Sequence, residues 1–420
     1  MKKFVCVAMA VCMVLSLVAC GGSSSAAASS TAASTAASGS TAAASTGSGE
    51  TIKVGILANT SGDYAVYGNA VQNGVMLYIN QVNDKGGING KKIETIAYDD
   101  KGDATEAVTA FNRLVDDGVT AVIGSVLTGT TIAVADESYA INMPQITASA
   151  TAAGVTVLDP EDPNSDIRTN VFRSCFIDPF QGEKMAEYAA EKLGAKTAAV
   201  IFETGNDYSE GLKNAFVAKC KELNVTVTSE QAYAKGDVDF KAQMTTIAGE
   251  NPDVVFCPNY YQDDGNIVTQ ARQVGYKGTF LGGDGWGGVK DYASAADLEG
   301  SVYCSGYAAG TDSVKPFEEA YKAAYGEDVP NMFAPLGYDA AMLMVNALTA
   351  AENKGLTAGT DEYKQAVIDA MKATDGVEGV TGSYKFDDKN DPIKSAAIMK
   401  LTGGAETFTE LYYAPGWDIS

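Results

Sequence analysis

Residues 52–98 read IKVGILANTSGDYAVYGNAVQNGVMLYINQVNDKGGINGKKIETIAY, and this stretch decides the fold class. Residues 52–58 are a β-branched-rich run of strand character, followed by a loop with Ser61, Gly62 and Asp63. Val71, Val75, Tyr78, Ile79 and Val82 then fall at helical spacing. Gly86-Gly87 closes that helix, and residues 92–98 read as the next strand. Strand, helix and strand in succession call for parallel pairing, because a crossover helix returns the chain to the same end of the sheet.

The pattern repeats downstream. Asp103 precedes a helical stretch with Glu106 at the reciprocal capping-box position, and Gly118 follows its end. Residues 119–123 read as a strand, a helix is expected from near Thr130, and a further strand over 145–148. A second series begins after Asn170. Strands at 197–202, 225–228, 253–257 and 279–281 alternate with helices at 209–223, 240–250 and 262–274. The remainder holds helices at 314–325 and 337–353 and strands at 384–386 and 395–401. Two series, each near the size of a domain, predict an α/β protein with two doubly wound parallel-sheet lobes.

Upstream the chain reads differently. Lys2 and Lys3 precede an apolar stretch over 4–18, which ends in Leu17-Val18-Ala19-Cys20. A charged start, a short apolar run and a small-residue exit are the parts of a secretory signal, here residues 1–19. The run is too short for a comfortable membrane span. Its exit resembles the lipobox of bacterial lipoproteins, which implies that Cys20 becomes a lipidated N-terminus. Residues 21–49 contain only Gly, Ser, Ala and Thr. Residues 20–50 thus form a lipidated cysteine and a flexible linker, with a reach of roughly 30 Å.

Composition narrows the function. The chain carries 30 basic and 53 acidic residues, net −23. Without Lys2 and Lys3 the counts are 28 and 53, net −25, which argues against nucleic acid and a polybasic membrane contact. Histidine is absent, so Ser-His-Asp and Cys-His nucleophile systems and the usual zinc sites are excluded. Cys175, Cys220, Cys257 and Cys304 lie 45, 37 and 47 residues apart, without metal-ligand spacing, and are expected as buried free thiols. No cofactor is indicated.

Ligands of open parallel sheets bind beyond the carboxyl ends of the strands. Four such loops, at 59–68, 124–131, 148–154 and 259–264, are rich in hydroxyls, glycine and aromatics. A fifth, at 282–288, carries Asp284 and Trp286. Gly283, Gly285 and Gly288 satisfy G-x-G-x-x-G, but a carboxylate stands where a pyrophosphate would sit, far from the first βα turn. Asp387-Asp388-Lys389-Asn390-Asp391 lacks the spacing of a calcium loop and reads as a polar turn.

At these loops the sequence resembles the type I periplasmic binding proteins, specifically the branched-chain amino-acid (leucine/isoleucine/valine) family that feeds ABC transporters. The likeness rests on Ile52-Lys53-Val54-Gly55, the run Asn83-Asp84-Lys85-Gly86-Gly87-Ile88-Asn89-Gly90, Tyr98-Asp99-Asp100 and Val122-Ile123-Gly124. Ser149-Ala150-Thr151, Asn206-Asp207-Tyr208-Ser209-Glu210-Gly211 and Gln270-Ala271-Arg272-Gln273-Val274-Gly275 extend it through the second half. The resemblance implies a clamshell joined by a three-strand hinge, with lobe 1 at 51–174 plus 305–383 and lobe 2 at 175–304 plus 384–420. It implies that Thr128, Ala150 and Thr151 hold a ligand carboxylate and that Asp284 pairs with an α-ammonium. Tyr67, Tyr208 and Tyr260 then surround the ligand, Tyr67 walling its side chain.

The implied function is an extracytoplasmic, membrane-anchored, monomeric binding lipoprotein that passes a small amino acid to an ABC permease. It is not an enzyme. The residues leave open an amide, urea or aromatic acid as ligand, and a sensing role without transport. A secreted hydrolase needs two carboxylates facing one cleft, and the site loops supply one, Asp284.

Overall fold

The computed structural model describes residues 50–413, so the lipobox cysteine Cys20 and the leader lie outside the described residues. The first sheet takes β1 (Ile52–Ala58), β2 (Ile93–Asp99), β3 (Ala121–Ile123), β4 (Gln145–Thr147) and β5 (Val171–Arg173). Between them run α1 (Ala65–Asp84), α2 (Ala104–Asp116) and α3 (Thr128–Ala140). The strand order is β2-β1-β3-β4-β5, all parallel, so the order reverses between β1 and β3. That reversal opens the crevice where such sheets bind ligands.

The second sheet starts after α4 (Asp178–Glu187) with β6 (Thr197–Glu203), α5 (Asp207–Glu222), β7 (Thr226–Tyr233) and α6 (Lys241–Glu250). It continues through β8 (Val254–Cys257), α7 (Tyr261–Gln273), β9 (Thr279–Gly282), the short α8 (Ala295–Leu298) and β10 (Val302–Ser305). Then come α9 (Lys315–Tyr325), α10 (Phe333–Asn353), α11 (Asp361–Lys372), a hairpin of β11 (Asp375–Gly379) and β12 (Gly382–Lys385), and β13 (Ala396–Thr402) and β14 (Ala405–Tyr412). The order β7-β6-β8-β9-β10 repeats that of the first sheet, but β13 and β14 add an antiparallel edge to it. Two α/β lobes are therefore present, and the second is only mostly parallel.

The chain passes between the sheets after β5 and leaves the second sheet again after β10. Helix α10 packs lengthwise on α1, α11 packs on α10, and β13 rejoins the second sheet. Strands that are apolar on both faces, such as β8 with four buried residues, follow from this two-sided helical cover. The four described cysteines are free and buried.

Local readings were mostly met. Asp103 caps α2 through the amides of Thr105 and Glu106. The reciprocal half of the capping box is absent, because Glu106 pairs with Lys101 at 3.2 Å while the Asp103 amide donates to Asp100 O. Helix α3 begins at Thr128, before the expected Thr130. The turn at 387–391 is polar as read; Asp388 and Lys389 at its tip are exposed, but its end is buried. Asp391 is buried and lies 2.7 Å from Arg173, and Asn390 donates to the carbonyls of Arg168, Thr169 and Val171.

Candidate functional site

The carboxyl ends of the two sheets face one another, and one cleft collects residues from both. Tyr67 from α1, Val126 and Leu127 from the β3 exit, Thr128 at the start of α3 and Ser149 after β4 line the first side. Tyr208 from α5, Tyr260 before α7, and Asp284 with Gly285 after β9 line the other, and Phe333 at the start of α10 completes it. Five of the seven ligand positions expected from the sequence, Tyr67, Thr128, Tyr208, Tyr260 and Asp284, thus meet in one place. Ala150 and Thr151 do not line the cleft; they follow Ser149 in the same loop and are buried.

Asp284 is held from two sides. Its Oδ1 accepts from the Tyr208 hydroxyl at 2.8 Å and from Gln181 Nε2 at 3.1 Å, and its amide donates to Gln181 Oε1 at 3.0 Å. No basic side chain touches it among the described residues. Burial, opposed only in part by these hydrogen bonds, pushes its carboxyl up to about 6. Trp286 anchors the loop from below by donating its Nε1–H to Cys257 O at 2.9 Å.

A second carboxylate stands behind the first. Gln181 Nε2 also donates to Asp178 Oδ1 at 3.1 Å, so one amide bridges two buried aspartates. Burial, aggravated by Asp284 and tempered by the facing Thr151 hydroxyl, drives the Asp178 carboxyl well above its ordinary range. Neither Asp178 Oδ2 nor Thr151 Oγ1 has an aligned hydrogen-bond partner among the described residues. Asp178 and Gln181 both lie on α4, for which the sequence reading proposed no element. The available signal was Asp178-Pro179, an acid and a proline in a first helical turn.

The opposite side of the cleft has the opposite polarity. No side chain caps the N-terminus of α3, and the Thr128 hydroxyl takes no partner among the described residues. Unpaired first-turn amides and the positive end of the helix dipole suit an anion. Between the two poles lie aromatic rings. Tyr67 and Phe333 approach to 4.2 Å between centroids, and Tyr208 stacks on Tyr260 at 5.0 Å.

Tyr67 also joins the lobes. Its hydroxyl donates to Gly285 O and accepts from the Tyr261 amide at 3.1 Å, while the Tyr261 hydroxyl donates to Asp63 O at 2.7 Å. So closed, the cleft keeps only about 10 Å³ of free space. Pockets for drug-sized ligands run to roughly 300 Å³ and more, so the lobes must part to admit one. A chamber of about 150 Å³, between Tyr64 and Leu127 on one side and Glu203, Lys235 and Tyr260 on the other, shares Leu127 and Tyr260 with it.

Two α/β lobes that meet over a bipolar, aromatic-walled cleft define a small-ligand binding protein. The family pattern of periplasmic binding proteins matches residues 51–405, and the chain belongs to that family. It is similar to the Leu/Ile/Val-binding protein BraC3 of Rhizobium johnstonii, 30% identical over 354 residues, which span 84% of this chain and 92% of the relative. A leucine-, isoleucine-, valine-, threonine- and alanine-binding protein of Pseudomonas aeruginosa is 28% identical over 81% of this chain and 87% of its own. Among solved structures, the branched-chain amino acid transporter substrate-binding protein LivJ of Streptococcus pneumoniae, in complex with isoleucine, superposes with a TM-score of 0.77. It is 32% identical and covers 87% of this chain and all of its own. The leucine-binding protein LivK of Thermotoga maritima gives the same TM-score at 30% identity, over 87% of this chain and 99% of its own. The family is one of extracytoplasmic solute-binding proteins, not enzymes. Among the described residues, no helix is long and apolar enough to cross a membrane.

Proposed function

We propose that this protein captures a small aliphatic or aromatic α-amino acid between its lobes and delivers it to an ABC importer. One observation carries the reading. A buried, cation-free carboxylate, Asp284, lines the same cleft as the uncapped N-terminus of α3, and the rings of Tyr67, Tyr208, Tyr260 and Phe333 lie there with them. An α-amino acid has the matching shape of charge: an ammonium for Asp284, a carboxylate for Thr128 and the backbone near Ala150 and Thr151, and a side chain for the rings. Relatives named for binding leucine, isoleucine and valine support the same ligand class.

In this reading the moving bodies are residues 51–174 plus 305–383 and residues 175–304 plus 384–420. The working form is a monomer held to the outer face of the membrane through lipid on Cys20, at the end of the linker. Calorimetry on residues 50–420 with L-leucine, L-isoleucine and 4-methylpentanoate, which is leucine's skeleton without the amino group, tests the ligand class. Binding of the amino acids at least about tenfold tighter than the deaminated acid is expected, that factor being 1.4 kcal/mol. Equal binding would remove the ammonium assignment and favour an aromatic acid or an amide. Mass spectrometry of the protein from membranes tests the anchor, which fails if the mature N-terminus carries no acyl groups.

A further inference from the structure

The loop leaving β4 has its carbonyls tied back. Arg173 Nη1 donates to Ala150 O at 2.9 Å and to Ala152 O at 3.0 Å, and the Asp178 amide donates to Thr151 O at 3.0 Å. The Cys175 thiol also reaches Ala150 O, at 3.4 Å. In a planar trans peptide the N–H points away from the C=O of the same unit. Arg173's hold on Ala150 O therefore turns the Thr151 amide the other way, and the Asp178 amide's hold on Thr151 O does the same for the Ala152 amide. Neither amide has a protein acceptor among the described residues. They follow Ser149 in the same loop, and Ser149 lines the cleft together with Thr128.

Arg173 does not line the cleft. It is fully buried; Nη2 donates to Thr156 Oγ1 at 3.1 Å, and Nε lies 2.7 Å from Asp391 Oδ1. Thr156 in turn donates to Asp391 Oδ1 at 3.2 Å. Asp391 belongs to the turn that leads into β13 of the second sheet, whereas Arg173 ends β5 of the first. A planar fork of five donors can serve two carbonyls, a hydroxyl and a carboxylate at once, and a lysine cannot. Its positive charge also lies behind the Ala150–Thr151 peptide group, polarising it in the sense that strengthens the outward Thr151 N–H donor.

We propose that Arg173, oriented by Asp391, is a positioning residue that presents the Thr151 backbone amide as the second half of a ligand-carboxylate site. The proposal rests on the reading that the ligand is an α-amino acid. It explains how an anion is recognised in a cleft that no arginine lines: the guanidinium acts through the backbone. It also assigns Asp391, in a turn far along the chain, to the same function.

The test uses the mature chain with Arg173→Lys and Asp391→Asn, calorimetry, and three probes: L-leucine, L-leucinamide and 4-methylpentanoate. Wild type is expected to prefer leucine over leucinamide by at least about tenfold, the factor for one lost charge-assisted interaction. In either variant that preference should shrink by at least about fivefold, while the preference for leucine over 4-methylpentanoate persists, because Asp284 is untouched. A purely structural role would weaken all three probes in proportion and leave both ratios unchanged, which overturns the proposal. If wild type itself fails to distinguish leucine from leucinamide, the amino-acid reading fails, independently of the variants. Should Arg173→Lys not fold, Thr156→Val removes one partner of the clamp at smaller cost and is read by the same two ratios.

Discussion

Asp284 sits in the cleft with a tyrosine hydroxyl and a glutamine amide as partners and no cation among the described residues, a costly state for an ionised carboxylate. Burial raises it to about 6, so in the unliganded protein it takes up a proton as pH falls through that value. An ammonium requires the ionised form. Amino-acid affinity should therefore be level above about pH 6.5 and fall by up to tenfold for each pH unit below about 6, while a deaminated acid lacks this dependence. Gln181 couples Asp284 to Asp178, so the midpoint belongs to the pair. Titrating Kd from pH 4.5 to 8 checks it; a flat profile for the amino acid would sever Asp284 from the ammonium. Asp284→Ala should weaken leucine at least about tenfold with little change in Tm, because a hydrogen bond to a charged group is worth roughly 1.5–3 kcal/mol. Thr128→Ala should cost less than about tenfold, since the first-turn amides of α3 remain. Asp284 was legible in the sequence because an acid between Gly283 and Gly285 stands out. Gln181 and Asp178 were not, because the residues that orient Asp284 come from a segment about a hundred positions earlier, where Asp178-Pro179 signals a helix start but not a site.

Long helices with a clear apolar stripe were readable, and α1 and α10 carry the firmest packing in the first lobe. They cross at two glycines. A Cβ on Gly74 would meet Ala334 O at 1.9 Å, and one on Gly337 would meet Val71 O at 2.4 Å. Contact of backbone on backbone cannot be relieved by a rotamer change. Gly74→Ala should therefore destabilise the protein by about 1–3 kcal/mol or more, although alanine favours an isolated helix by nearly 1 kcal/mol. Chemical denaturation checks the sign; a neutral or stabilising result would mean that the crossing is looser than these distances. The elements that escaped sequence reading share a physical reason, which is that tertiary contacts outweigh local preference in them. Helix α4 contains Gly182, where a Cβ would lie 2.7 Å from Leu212 O of α5, so its glycine marks a close helix contact and not a break. Strand β14 alternates exposed and half-buried residues at the sheet edge, with too little apolar content to announce itself. Strand β5 has three residues, shorter than any periodicity can define, whereas β3 and β4, equally short, were read from the sequence as strands at 119–123 and 145–148.

Between the lobes the chain must be stiff enough to guide motion and loose enough to permit it. One buried cluster lies at their junction. Lys394 Nζ donates to Ser174 O at 3.0 Å, to the Tyr384 hydroxyl at 2.8 Å and to Thr381 Oγ1, while Asp339 of α10 accepts from Thr381 and Tyr384. Burial lowers the Lys394 ammonium to about 8, below its unfolded value near 10.5. Between those pH values the unfolded chain binds the extra proton, so the lysine's contribution to stability rises with pH across that window and is flat below it. The stability of wild type relative to Lys394→Met should thus increase by about 3 kcal/mol from pH 7.5 to 10.5, and a constant difference would refute it. The same junction must let the cleft open, because a free space of about 10 Å³ cannot receive an amino acid. Closure without ligand rests on few inter-lobe bonds, with Tyr67 making two of them, to Gly285 and Tyr261. At roughly 1 kcal/mol each, such bonds hold the closed form only marginally against the entropy of lobe motion. Unliganded protein in solution should therefore scatter with a radius of gyration larger than that of the closed form, and saturating leucine should bring it down to that value. Tyr67→Phe should shift the unliganded population further toward open and weaken leucine, while the liganded radius stays the same. An unliganded radius already equal to the closed value, unmoved by ligand or by Tyr67→Phe, would mean that the lobes do not open by hinge motion and that the ligand enters by another route.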